Sequence, residues 1–221
     1  MKTLFIKACA LTLALAAAGT ASADNNFGFG VKAGTLGLGV EGTWRPLPYL
    51  DFRLGANQYD YTDSGTQAGV LYDAELNLDT VYLTGNFRFP LSPFRVTAGI
   101  YSNGNEVNAV SGDNGAIIII GGDPYPSAAV GTVTTRGYFE STSPYLGVGY
   151  DFSLFGKVGM NLDFGVLWQG SPNIDVGVDG VLADDPTFQA SLEAERLELE
   201  DELSDYKAWP VISLGFVFNF L

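Results

Sequence analysis

Trp209-Pro210-Val211-Ile212-Ser213-Leu214-Gly215-Phe216-Val217-Phe218-Asn219-Phe220-Leu221 is the stretch whose reading decides the fold. Extended, it sets Leu214, Phe216, Phe218 and Phe220 on one side and Ser213, Gly215, Val217 and Asn219 on the other, because successive side chains of a strand point to opposite faces. A face of four large apolar residues needs either a protein core or lipid. Alternation at period two recurs along the chain between breaks containing Gly, Pro and Ser. Strands are therefore expected throughout, and what meets their apolar faces becomes a question about the whole chain.

The other end of the chain bears on that question. Lys2 and Lys7 flank the start of an apolar region, Leu- and Ala-rich from Ala8 to Ala18, and Ala21-Ser22-Ala23 stands before Asp24. This is the pattern of a secretory leader, expected to be cleaved after Ala23; the apolar run falls short of the ~20 residues of a spanning helix. Cys9, the single cysteine, leaves with it, as do Lys2 and Lys7, while all 25 Asp and Glu remain. A mature chain so acidic repels nucleic acid. Eleven of its acids fall between Asp175 and Asp205.

Eight strands are expected, over 25–33, 36–45, 50–61, 72–89, 94–103, 145–152, 158–169 and 209–221. Their joins alternate in character. Those at 46–49, 90–93 and 153–157 are tight and carry Pro, Ser or Gly, whereas 62–71, 104–144 and 170–208 are long. A membrane barrel with both termini in the periplasm has an even strand number, short turns on that side and long loops outside. A soluble sandwich has no reason to sort its loops by parity. The expected fold class is all-β: an eight-stranded antiparallel transmembrane β-barrel over residues 24–221. Two places resist this reading. Parity flips near Gly34-Thr35, which requires a very tight outer turn or else one bulged strand and a count of seven. Ala74, Leu76 and Leu78 lie on the opposite parity to Val81, Leu83 and Phe87, so a slip is expected at Asp79-Thr80.

In these registers the outward positions, such as Leu36, Leu38, Leu54, Leu83, Ile100, Leu162 and Phe216, carry no charge. Inward fall Lys32, Glu41, Arg45, Asp51, Arg53, Arg88, Arg95, Asp151 and Asp163. Side chains fill the interior of so narrow a barrel, and unpaired charge there is costly. A paired polar network is expected, which either holds the barrel shut or lines a narrow conduit. Trp44, Tyr49, Phe94 and Phe152 near the tight turns, with Trp168 and Trp209 near the long loops, are expected as aromatic belts at the two bilayer interfaces.

In this architecture the chain resembles the small outer-membrane barrels, the class of the OmpA membrane domain, OmpX and OmpW, over residues 24 to 221. The most specific element is the C-terminal strand Ile212 to Leu221, with Phe216, Phe218 and Phe220. The resemblance implies a Gram-negative outer-membrane protein surrounded by lipid and lipopolysaccharide. It also implies passage by periplasmic chaperones and a terminal strand read by the barrel-assembly machinery. In that class the strand usually closes on an aromatic; here Phe220 is followed by Leu221. The resemblance assigns neither an individual member nor an oligomeric state.

Catalysis is not expected. The chain has no histidine, so the usual base for a serine nucleophile and the commonest zinc ligand are missing. Glu41 and Asp163 could work as an acid and base pair, but counter-ions to the lumen arginines is the simpler reading. No cofactor is implied. In the last long loop, Asp185-Pro186 starts a helix, with the carboxylate as cap and Pro at the first position. An amphipathic acidic helix is expected over about 185–207, with Phe188, Leu192, Leu199, Leu203 and Tyr206 as its apolar stripe. Its acids, Glu198, Asp201, Glu202 and Asp205 among them, suggest a divalent cation weakly and a solvated face more strongly. The loop 104–144 reads as a hairpin carrying Ile117-Ile118-Ile119-Ile120 under that helix, or as a site for a hydrophobic molecule. The functional expectation is a structural envelope protein or a narrow passage for small molecules.

Overall fold

The computed structural model describes residues 26–67, 70–112, 115, 117–155 and 157–220; the leader expected at 1–23 and Leu221 lie outside them. In chain order the elements are β1 (Phe27–Gly34), β2 (Gly37–Leu47), β3 (Leu50–Gln67), β4 (Val70–Arg88), β5 (Phe94–Asn103), β6 (Glu106–Ser111), β7 (Ile117–Ile120), β8 (Asp123–Pro126), α1 (Ser127–Val130), β9 (Val133–Tyr138), β10 (Thr142–Phe155), β11 (Val158–Trp168), β12 (Asn173–Val178), α2 (Pro186–Glu202) and β13 (Ala208–Phe220). Eight of these, in the ring order β1-β2-β3-β4-β5-β10-β11-β13, form a closed antiparallel barrel, with Phe27 of β1 opposite Phe220 of β13. The fold expected from alternation and loop parity is the one observed.

The first hairpin is two strands. Gly34 lies opposite Gly37 across the two-residue turn Thr35-Leu36, and Gly37 takes φ +95°, a conformation that costs a residue without Cβ little. The Thr35 hydroxyl fastens the turn to β13, donating to the Pro210 carbonyl at 2.8 Å and accepting from the Ile212 amide at 3.2 Å. Leu36 is a turn residue that folds inward and is buried, not an outward strand position. The turn absorbs the parity change, so no bulge is needed.

No slip occurs in β4 either. Its ladder with β3 runs unbroken from Leu50 opposite Phe87 to Gln67 opposite Val70. The partner on the other side changes instead. Thr80 lies opposite Asn103 of β5 and Asn77 opposite Glu106 of β6, three steps along each chain, so β6 resumes the register of β5. Likewise Ser102 faces Thr142 and Glu106 faces Tyr138, four steps along each chain, so β9 resumes that of β10. The barrel wall thus continues past its rim as a cap sheet of β3, β4, β6, β9 and β12.

Long loop 104–144 therefore contributes β6 and β9 to the wall extension, and β7 and β8 form a small separate hairpin. The four isoleucines divide. Ile120 is buried with Val130, Phe188 and Leu192, and Ile118 packs at the edge of that cluster, but Ile117 and Ile119 are exposed. Helix α2 starts where expected, the Asp185 carboxylate accepting from the Thr187 and Phe188 amides, each at 2.9 Å. It ends at Glu202 rather than near Lys207: the Ser204 amide bonds the Asp201 carbonyl and the Tyr206 amide the Leu203 carbonyl, each at 3.1 Å and three residues back instead of four, and the chain turns toward β13. Tyr206 lies past that end and is exposed.

On the outside of the ring, Val31, Leu38, Leu54, Leu83, Ile100, Leu146, Ile212 and Phe216 are all exposed. Soluble monomers do not tolerate a continuous apolar surface of this size.

Candidate functional site

The lumen is built by the inward parity of every barrel strand and is layered. Its middle layer is ionic. Glu41 on β2 accepts from Arg53 Nη1 at 3.2 Å, from the Tyr82 hydroxyl at 2.9 Å and from Asn161 Nδ2 at 3.4 Å, with Lys32 Nζ at 4.0 Å. Asp51 accepts from Asn86 Nδ2 at 2.8 Å and Arg88 Nε at 2.5 Å, and from Arg53 Nε at 3.4 Å. Asp151 meets Arg88 Nη1 at 2.6 Å and Arg95 Nε at 3.1 Å; Asp163 meets Arg95 Nη2 at 2.6 Å and Arg53 Nη1 at 3.9 Å. Arg53 lies within 4.0 Å of all four carboxylates. It is almost wholly buried, as is Arg95. Removing water from such charges is costly, and shared guanidinium contacts offset that cost.

Arg95 also donates to Asn86 Oδ1 at 3.2 Å and Thr97 Oγ1 at 3.0 Å, and its guanidinium lies against Gly149, where a Cβ would collide with it. A small residue on β10 is what lets so large a cation lie flat across the lumen. Glu41 and Asp163, the conceivable acid and base, are bridged by Arg53 and serve as its counter-ions.

Above this layer, toward the cap, lies an aromatic one. The rings of Tyr82 and Tyr101 stack at 4.8 Å, and those of Tyr101 and Tyr145 sit 5.3 Å apart. Leu36, Leu167 and Val211 complete a buried cluster with them, and Trp209 packs on it. Trp209 shares the inward parity of Val211 and is not on the outer face assigned to it. Trp44, Tyr49, Phe94, Phe152 and Trp168 are exposed on the outside. The apolar plug was not apparent as a unit in the sequence: its members lie far apart, and Leu36 is indistinguishable there from an outward leucine.

Between the two layers lies a cavity of about 20 Å³, room for one or two waters. Below the ionic layer, at the short-turn end, the interior opens into a vestibule of about 300 Å³. Arg45 lines that vestibule rather than joining the network, and no carboxylate among the described residues lies within ion-pair distance of it.

In the cap, Arg136 on β9 donates to Glu106 on β6 at 2.6 Å and 3.0 Å, which holds the Glu106 carboxyl below the ordinary range. Arg196 likewise pairs with Glu193 at 2.7 Å and Glu200 at 2.6 Å on α2, lowering Glu193. Two helix carboxylates hold backbone: Glu195 accepts from the Gly121 amide at 2.9 Å and Glu200 from the Ile174 amide at 3.2 Å. Glu198, Asp201, Glu202 and Asp205 are exposed. Among the described residues no three acids converge as metal ligands.

Compared with solved structures, the chain is similar to Acinetobacter baumannii CarO, with 23% identity and TM-score 0.57 over 87% of this chain and 97% of that one. The fold is that of the small eight-stranded outer-membrane barrels. CarO2 from the same organism gives 22% identity and TM-score 0.57, over 88% and 98%. No protein-family model and no curated protein sequence matches.

Proposed function

We propose that this protein is a non-enzymatic outer-membrane barrel with a closed lumen, serving the envelope as a scaffold that holds its cap above the bilayer. One observation carries the reading: where the ionic layer meets the tyrosine layer, the cavity has room for only about 20 Å³, far too little for a continuous water column across that level. The exposed apolar wall supports a lipid surround, with lipopolysaccharide against the outer half. The leader read in residues 1–23 and the terminal strand ending in Phe216, Phe218 and Phe220 support export by chaperones and insertion by the barrel-assembly machinery. Purified protein in a planar bilayer is expected to give no steps above the detergent blank. Wild-type steps with ohmic conductance would restore the narrow-passage reading. Lipid A altered on expression, by mass spectrometry, would revive an enzyme.

A second reading rests on the cap. On the face of β3 and β4 that continues the lumen, Tyr59 sits opposite Leu78 and Tyr61 opposite Leu76, and Leu76 opposite Val107 of β6. Tyr59, Tyr61 and Val107 are exposed there, while α2 covers the β12 end of the same sheet. A hydrophobic small molecule fits this uncovered half. An apolar fluorescent probe should brighten with wild type and not with Tyr61→Asp.

A further inference from the structure

Among the described residues nine charged side chains are directed into the lumen; five are cationic, and the four carboxylates are all engaged by Lys32, Arg53, Arg88 and Arg95. Arg45 is the cation left over. Its Nε is enclosed by protein yet has no hydrogen-bond partner. Two residues earlier on β2, Thr43 is 6% exposed, and its hydroxyl is also buried without a partner. Both line the same vestibule. Buried donors left unmet are uncommon and costly, and here two lie together in a cavity of about 300 Å³.

From this we infer that the short-turn vestibule is a binding site for a small oxyanion, a carboxylate or phosphate, held by Arg45 with Thr43 as a second donor. The chemistry fits: a guanidinium offers a planar fork to two oxygens of such a group, and a hydroxyl can donate to a third. Arg88 at the same wall adds positive potential, while Asp151, the one acid among the described lining residues, is engaged by Arg88 and Arg95. Ser92 and Asn219 supply further polar edges. The cationic opening is exceptional in a chain with 25 acids and 11 basic residues. The site needs no open lumen, so it stands or falls apart from the scaffold reading.

The test is calorimetric titration of inorganic phosphate, and separately acetate, into full-length protein in a zwitterionic detergent, with chloride held constant. Saturable binding of one equivalent is expected. Arg45→Gln should weaken it at least tenfold and Thr43→Val several-fold, while Lys157→Gln, at an exposed turn residue outside the cavity, should leave it unchanged. Arg45→Lys keeps the charge without the fork and should fall between wild type and Arg45→Gln; strand content by circular dichroism checks that each variant folds. A parallel titration with short-chain phosphatidylglycerol micelles separates the sources: binding to both free phosphate and micelles identifies the bare oxyanion, and binding to micelles alone a lipid headgroup, with the same Arg45 dependence in either case. No saturable binding to any probe, or binding that survives Arg45→Gln, overturns the proposal.

Discussion

Strand β4 is one uninterrupted ribbon whose two halves obey opposite rules. Below the rim its outward residues are Val81, Leu83 and Phe87 and its inward ones Thr84, Asn86 and Arg88; above it the outward residues are Asp73, Glu75 and Asp79 and the inward ones Ala74, Leu76 and Leu78. The backbone does not register the change. Polarity inverts because the solvents exchange places: lipid outside a polar lumen becomes water outside an apolar concavity. Alternation therefore reports which face meets which medium, and the inversion between Asp79 and Val81 marks where the apolar outer band of the barrel ends.

Deleting a cation on either side of that edge should have the largest and most unequal effect. Arg53→Met removes the cation that all four carboxylates share and should cost about 3–5 kcal/mol, the range for breaking a buried ion pair, in urea unfolding from lipid vesicles. Arg136→Met, at an exposed cap pair, should leave the midpoint where it is. Equal costs would mean that the lumen network is not holding the barrel. Next, Leu83→Arg should cost about 2–4 kcal/mol as a charge placed on the lipid face. On the same parity beyond the rim, Asp73→Arg should stay within about 0.5 kcal/mol, the usual range for a surface change. A costly Asp73→Arg would move the bilayer edge outward along β4.

Within the cap, Asp185→Ala removes the carboxylate that caps α2 and should cost about 1 kcal/mol, read as faster amide exchange of Phe188 and the following turn with the barrel amides unchanged. The smallest effect is a pH response. Glu106 titrates lower in the folded cap than in the unfolded chain, so its pairing with Arg136 contributes fully above the ordinary glutamate value, about 4.3. That contribution is lost as pH falls through the lowered value. Exchange at the β6–β9 ladder should rise in that acid window, and Glu106→Gln should abolish the rise; a response confined to the barrel amides would contradict the assignment.

The barrel was legible in the sequence because lipid and lumen impose a period-two code, strict enough to place Leu54, Leu83 and Phe216 outside and Glu41, Arg53 and Arg95 inside. The same code misled wherever the medium changed. Ala74, Leu76 and Leu78 suggested a slipped register, when the strand ran straight into water. Leu36 counted as an outward leucine because a two-residue turn carries no signal beyond Gly37. Trp209 reads as a belt residue in the sequence, since position near a strand end says nothing about which side a ring occupies. The network's membership followed from parity and charge, but its pairing, and the isolation of Arg45, depend on distances between strands that no single strand encodes.

One consequence follows from the shared register of β5 with β6 and of β10 with β9. No joint separates the cap sheet from the barrel wall it continues, so the cap cannot swivel. An epitope or affinity tag grafted after Ser111, at the far end of β6, would keep a constant bearing to the barrel axis, and a pull applied there would load the barrel staves along their length.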